Sequence, residues 1–450
     1  MSAAWAAARP WFATVRRSRL TAIAGSILGT QVVTSVLGLV FWTVAARSLP
    51  PSVVGRLGSA TAAALLLSTF GLVGCGTLLV SRLRSATPGE QRRLLVTTTV
   101  VGPVVTGLLA YAFGVGAWLL LPAFSFLIPT GAAFWLLVAA ASLTTLGGIF
   151  DEAMLVLGRP ATQVVRNAVA SGLKVVLLGV ALLAGHAGVS WALAAWVVGQ
   201  LAGCVLAARA AWRRTRTDER VRPRDVLTTI RRHRREATQH HGMNVALAAP
   251  FVLQPVIIAA IVSAEANALF TTVRLVSTFA FLAPYALAMA LFAASAGDLE
   301  GTRQRARSVF RVSLGLSLAL YAVLFAGAPL ILGVFGKDYA TGSETYLRII
   351  GLACPLLVFK DQYIARMRAE RRLTRAMPYV FVSTTLEIGG TLIGATIADL
   401  TGALAGWLVA LAAGAIWVVT GGRRQPPGPA PRNTATPAPT VPSIVAGAAR

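Results

Sequence analysis

The chain has 450 residues, 56% of them hydrophobic and 13% charged, with a formal net charge of +25. A soluble domain carries about twice that charged fraction, and apolar runs close to the roughly 20 residues needed to cross a bilayer recur from residue 20 to residue 420, which excludes a soluble globular protein. Three scattered cysteines without CxxC spacing and four histidines give neither a disulfide framework nor a metal cluster, so no metal and no cofactor is expected.

Residues 1–19 form a basic segment with Arg9, Arg16, Arg17 and Arg19. The run from Leu20 to Ala46 that follows is far longer than the roughly 7–15 apolar residues of a signal peptide and reads as an uncleaved first span. Further spans are expected at 53–80, 94–121, 132–156, 161–184, 188–211, 240–262, 267–296, 308–334, 344–365, 376–398 and 402–420. The connections alternate. Odd loops are short and hold Arg47, Arg56 and Lys337, whereas even loops hold RLRSATPGEQRR, the Arg159–Arg166 region, RAAWRRTRTDERVRPRDVLTTIRRHRR, EGTRQRARSVFR and RMRAERRLTR. The positive-inside rule places both termini in the cytoplasm. The same sorting explains the +25 as topology signals and contacts for anionic lipid, not as a nucleic-acid footprint.

The basic loop 213–239 divides an N-terminal lobe, 20–212, from a C-terminal lobe, 240–420; the tail 421–450 is Pro/Ala-rich and reads as disordered and cytoplasmic. The halves echo each other in order: GRLGSATAAALLLSTF and ALFTTVRLVSTFAFLA, RLRSATPGEQRRL and DLEGTRQRARSVF, FDEAMLVLGRP and FKDQYIARMRAER, GVSWALAAWVVGQ and GALAGWLVALAAG. Six spans per half give repeats of the same orientation, an arrangement of transporters with a central site between lobes. The expected fold class is an all-α polytopic membrane protein with about twelve transmembrane helices in two six-helix lobes.

Three stretches carry a resemblance. AARSLPPSVVGRLGSATA and GVFGKDYATGSETYLRIIGLACP resemble the polysaccharide exporters, and ANALFTTVRLVSTFAFLAP is similar to the eighth span of lipid-linked-precursor flippases. Together they point to the multidrug/oligosaccharidyl-lipid/polysaccharide exporter superfamily and, within it, to O-antigen-type flippases. The resemblance implies a MATE-like, V-shaped pair of lobes and alternating access, with spans 1, 2, 7 and 8 lining the cavity. It also implies a polyprenyl-diphosphate-linked glycan as cargo, polysaccharide-assembly proteins as partners, and no bond made or broken. Peptidoglycan-precursor flippases usually have fourteen spans, and span 1 lacks an acidic motif here. A multidrug extruder would want acids in its cavity, a membrane glycosyltransferase a substantial outer loop, and a non-transporting scaffold no cavity charges.

In span 8, Asn267, Thr271, Arg274, Thr278 and Tyr285 fall on one stripe at 3.6 residues per turn. A polar stripe in a membrane helix faces a bundle interior or an aqueous cavity. The guanidinium of Arg274 keeps its proton and offers a fork of donors suited to a diphosphate; the alternative is a packing role against carbonyls or an acid. Lys174 in span 5 reads as a cavity base or half of a structural ion pair. Glu387 in span 11 reads as a coupling-ion ligand or as the partner of an intramembrane base. Arg56 could extend the basic track or snorkel to the interface. Gln31 and Gln254 hold matching depths in the two lobes and suit sugar binding or helix bridging. Pro250 and Pro255 are expected to weaken or kink span 7 and suit a gate. Asp151, Glu152, Lys360 and Asp361 are placed at the basic-loop ends of spans 4 and 10, paired with neighbouring arginines.

Overall fold

A computed structural model describes residues 19–421 except 84–85, 216–220, 295–298 and 370–372; the basic N-terminal segment and the Pro/Ala-rich tail lie outside the described residues. The described chain is helical, with no strand among the described residues. Span 1 is α1 (Arg19–Ser48). Span 2 comprises α2 (Pro51–Gly71) and α3 (Cys75–Arg82). Spans 3 to 6 are α4 (Pro88–Leu120), α5 (Ala132–Val156), α6 (Pro160–Leu183) and α7 (Val189–Arg214). Spans 7 to 9 are α8 (Pro223–Ile261), α9 (Ala264–Ala294) and α10 (Leu299–Gly333). Two short helices follow, α11 (Lys337–Gly342) and α12 (Glu344–Gly351), then α13 (Ala353–Ala369) and the double-length α14 (Leu373–Gly421). Eight helices among the described residues are long and apolar enough to cross a bilayer, and the eighth, Ala376–Thr420, holds two spans. Proline opens α2, α4, α6 and α8, where its fixed φ suits the first turn and its missing N–H costs nothing.

Span 2, expected as one helix, breaks at Val73 (φ 41°) and Gly74 (φ 77°). A β-branched residue at positive φ is strained, so tertiary contacts must hold it there. A Cβ at Gly71 would overlap Thr106 of span 3, so the backbone of span 2 lies directly on that helix. The Phe70 carbonyl freed near the break accepts a hydrogen bond from Nε2 of His241 on span 7 at 3.0 Å. Span 7 itself runs unbroken through the buried Pro250 and Pro255. Span 10 divides at Leu352 into α12 and α13, and the turn between spans 11 and 12 shrinks to Ala398 and Asp399, the latter at φ 50°.

Spans 1, 4, 5 and 6 pack into one bundle and spans 7, 8, 10 and 11 into another. Glycines set the closest approaches. Gly390 faces Gly406 and Gly394 faces Gly402, so spans 11 and 12 touch backbone to backbone. Span 2 lies along spans 7 and 8 of the other half, whereas span 1 meets span 8 at few positions. At the end of the bundle carrying the short loops, a Cβ on Gly55 would overlap the Ala264 carbonyl. There Arg47 donates from Nε to the Val334 carbonyl at 2.8 Å and from Nη2 to the Gly333 carbonyl at 3.5 Å. The two halves are closed against each other at this end.

Candidate functional site

The polar stripe of span 8 does two different things along its length. Asn267 is fully buried and its Nδ2 donates to the Gly55 carbonyl of span 2 at 2.9 Å. Thr271 packs on Gly58, where a Cβ would come to 2.7 Å from its hydroxyl. These two residues, expected to touch substrate, are covered by the glycine face of span 2 and seal the halves together. Asn267 Oδ1 and Thr271 Oγ1 are left buried without a hydrogen-bond partner.

One turn further from the short-loop end the cover ends. Arg274 is half-buried and forms no hydrogen bond or ion pair with a described residue; its guanidinium carbon lies 6.0 Å from the Phe270 ring centroid. The Thr278 hydroxyl is turned back to the Arg274 carbonyl at 2.8 Å, and Tyr285 is 47% exposed. The structural alternative for Arg274, a pairing with carbonyls or an acid, finds no partner among the described residues. An intramembrane guanidinium costs at least about 2.5–3.5 kcal/mol unless something anionic or aqueous meets it.

The other candidates separate from this centre. Lys174 has no carboxylate: its ammonium sits 4.0 Å from the Trp196 ring centroid and 5.3 Å from that of Phe41, between spans 1, 5 and 6. The ion-pair alternative finds no acid among the described residues; aromatic faces stand where an acid would. Arg56 is exposed, 5.9 Å from the Phe126 ring at the short-loop end, so it follows the interfacial alternative. Gln254 is 3% exposed and forms no hydrogen bond to a described residue. Gln31 sits on α1, but its side chain lies outside the described residues.

Glu387 is the partner of a base. Its Oε1 accepts from Lys360 at 2.6 Å and from Ser383 at 2.7 Å, and its Oε2 accepts from Trp407 at 3.2 Å, all fully enclosed. That is the second of the two readings given for Glu387, the partner of an intramembrane base. It corrects the placement of Lys360, which is 5% exposed and pairs with Glu387 instead of sitting at a helix end among arginines. The helix α13 runs to Ala369, past the expected end at residue 365, and Lys360 lies about 14 Å inward of that end at 1.5 Å per residue. Asp151 does pair with an arginine, Arg166, at 3.0 Å, inside a cluster with Asn167 and Gln200. No group of metal-ligating residues occurs among the described residues. Reasoning on the sequence missed the contacts of Arg47 and His241 between the halves, since nothing in either stretch marks its distant carbonyl.

Two six-helix lobes with an arginine on a helix at their seam share their fold with solved transporters of the MOP superfamily. The structure is similar to an inward-facing multidrug resistance MATE family transporter (TM-score 0.67, 14% identity, covering 87% of this chain and 94% of that one). It is also similar to the outward-facing form of a MATE transporter (0.59, 16%, 91% and 96%). A third likeness is a MOP superfamily transporter from Pyrococcus furiosus described by the reverse polarity of its binding pocket (0.56, 16%, 90% and 96%). No curated protein matches the sequence. The chain belongs to the polysaccharide biosynthesis protein family, whose model matches residues 20–297.

Proposed function

We propose that the chain is a flippase that carries a polyprenyl-diphosphate-linked glycan from the cytoplasmic to the outer leaflet of a bacterial plasma membrane, by alternating access of its two lobes. The observation that carries this reading is Arg274: a permanent cation within the bundle, on the seam between halves, with no counter-charge among the described residues. A diphosphate supplies that counter-charge and accepts the planar fork of donors in bidentate fashion. Family membership supports the glycan side of the cargo. The multidrug reading fits less well at two of the acids, since cationic drugs call for free acids and Glu387 and Asp151 are paired with Lys360 and Arg166; Glu152, expected beside arginines, lies next to Gly76 without an ion pair among the described residues and is the acid that reading would use. A MOP superfamily transporter of similar fold is described by the reverse polarity of its binding pocket, which supports considering a cargo other than a cationic drug.

The test is precursor flipping per folded molecule in proteoliposomes. Arg274→Ala should lose most flipping while inserting normally. Arg274→Lys should keep part of it, since the charge remains and the fork is lost. Arg274→Glu should be worse than Ala. Wild-type flipping by Arg274→Ala, normalised to folded protein, refutes the reading.

A further inference from the structure

The contacts that close the short-loop end do not all pull the same way. Arg47, in the last turn of span 1, reaches across to span 9 and donates to the Val334 carbonyl at 2.8 Å and to the Gly333 carbonyl at 3.5 Å. α10 ends at Gly333. The guanidinium therefore sits on carbonyls left over at the negative end of a helix dipole, where a cation is favoured. Arg47 is exposed, so water competes for the same donors.

Deeper in the seam, span 2 lies on span 8 through its glycines. The bond from Asn267 Nδ2 to the Gly55 carbonyl, 2.9 Å long, joins the two halves. The same closure takes Asn267 Oδ1 and Thr271 Oγ1 out of water and gives neither of them a partner among the described residues. A polar atom buried without a hydrogen bond costs free energy, which it recovers on meeting water. Thr271 comes this close only because position 58 has no side chain. A Cβ there would stand 2.7 Å from the Thr271 hydroxyl and 3.4 Å from Asn267 Nδ2. Separating the halves wets both stranded atoms, and closing them strands both again. At this level the seam is biased toward opening, against the pull of Arg47 and of the Asn267 amide.

We propose that the short-loop end is a latch with opposed parts. Arg47 is the catch that holds it shut from span 1 to span 9. The stranded oxygens of Thr271 and Asn267 bias it toward opening, and Gly58 is the seat that lets it shut at all. The closed seam is thereby held near balance, and release of one exposed side chain tips it. The latch governs the motion of the halves and not the choice of cargo, so it goes beyond the flippase reading and does not depend on what Arg274 binds.

The experiment uses full-length protein in phosphatidylcholine nanodiscs, with spin labels on Thr130→Cys and Thr341→Cys, exposed positions in short loops of the two halves. The native cysteines are buried, so labelling selects the introduced pair. Distances are read by double electron–electron resonance on folded, monodisperse protein without cargo. Arg47→Ala should raise the ratio of open to closed molecules about tenfold, the effect of losing a hydrogen bond to a charged group. Arg47→Lys, which keeps the charge without the fork, should raise it less. On the Arg47→Ala background, Thr271→Val should lower the ratio again, because it keeps the volume and removes the stranded hydroxyl. Gly58→Ala should open the end, and adding Thr271→Ala should close it again, because the new Cβ then has room. Arg56→Ala, at the same end but beside the Phe126 ring, should change nothing. Unchanged distances in Arg47→Ala overturn the catch. A Thr271→Val that fails to lower the ratio overturns the bias, and opening by Gly58→Ala that Thr271→Ala does not reverse overturns the seat. Flipping is not read, so failure of the latch leaves the reading of Arg274 standing, and failure of that reading leaves the latch.

Discussion

Replacing Lys360 by methionine tests the interior of the C-terminal half. The substitution keeps the length of the side chain and removes the ammonium, leaving Glu387 at 0% exposure with two neutral donors, Ser383 at 2.7 Å and Trp407 at 3.2 Å. Breaking a buried ion pair by removing one partner costs about 3–5 kcal/mol, because the remaining charge is stranded away from water. A hydrogen bond to a charged group accounts for about 1.5–3 kcal/mol on its own, so two surviving neutral donors cannot make good the loss. Lys360→Met should therefore destabilise by about 3–5 kcal/mol. Lys360→Met with Glu387→Gln should recover most of that, since a neutral amide can keep one acceptor for Ser383 without stranding a charge. The assay is equilibrium unfolding in mixed micelles for both single variants and the double, read as a double-mutant cycle. A cost below about 1 kcal/mol for Lys360→Met, or a double variant no better than the worse single, refutes the reasoning, because an enclosed pair must behave non-additively.

Other outcomes follow from contacts of the same kind. Gly394→Leu should lower the yield of folded protein, because its Cβ would meet the Gly402 backbone, whereas Gly389→Leu, with nothing within 4 Å, should not; overpacking of this sort costs typically about 1–3 kcal/mol. His241→Ala removes the donor to the Phe70 carbonyl and should speed hydrogen exchange at residues 70–74, whereas an unchanged rate would mean that this contact does not hold the break in span 2. Reporter fusions at residues 125, 186 and 340 should read as outside and those at 88, 225 and 370 as inside; an inside signal at 340 would invert everything after span 9.

How much of this was legible beforehand depends on the range of the interaction. The spans could be read because each apolar run is local, and the loops because arginines there are not needed for packing. The break in span 2 was not legible. Its only mark is Gly74, and the louder signals, Pro250 and Pro255, lie in a helix that stays continuous. Around the break, Gly71 lies on the neighbouring span 3, and the Phe70 carbonyl is met by a histidine 171 positions further along the chain. Spacing correctly put Asn267, Thr271 and Arg274 on one stripe. Which part of that stripe meets glycine-rich span 2 and which is left open is a matter of how two distant helices cross, and no single helix encodes it. Lys360 was misplaced for a related reason: its partner Glu387 lies 27 positions away on span 11, and nothing near Lys360 marks it.

The buried cations of this chain are best compared with one another. Lys360 is neutralised by Glu387 at 2.6 Å, and Arg166 by Asp151 at 3.0 Å with amides from Asn167 and Gln200 completing its shell. Lys174 has no acid, but two aromatic faces at 4.0 and 5.3 Å serve it, and cation–π contacts of this kind are worth about 2 kcal/mol or more when desolvated. Each of these three positive charges is satisfied by the protein itself. Arg274 has a single ring at 6.0 Å, the outer edge of useful cation–π distance, and no acceptor among the described residues. The same fold that supplies partners for three cations leaves the fourth without one, on the helix that seals the two halves at one end and opens past residue 271. The other three are paired as structural charges are. On the reading proposed above, the counter-ion of Arg274 arrives and leaves with an anionic cargo, which accounts for why the fold leaves this one cation without a partner among the described residues.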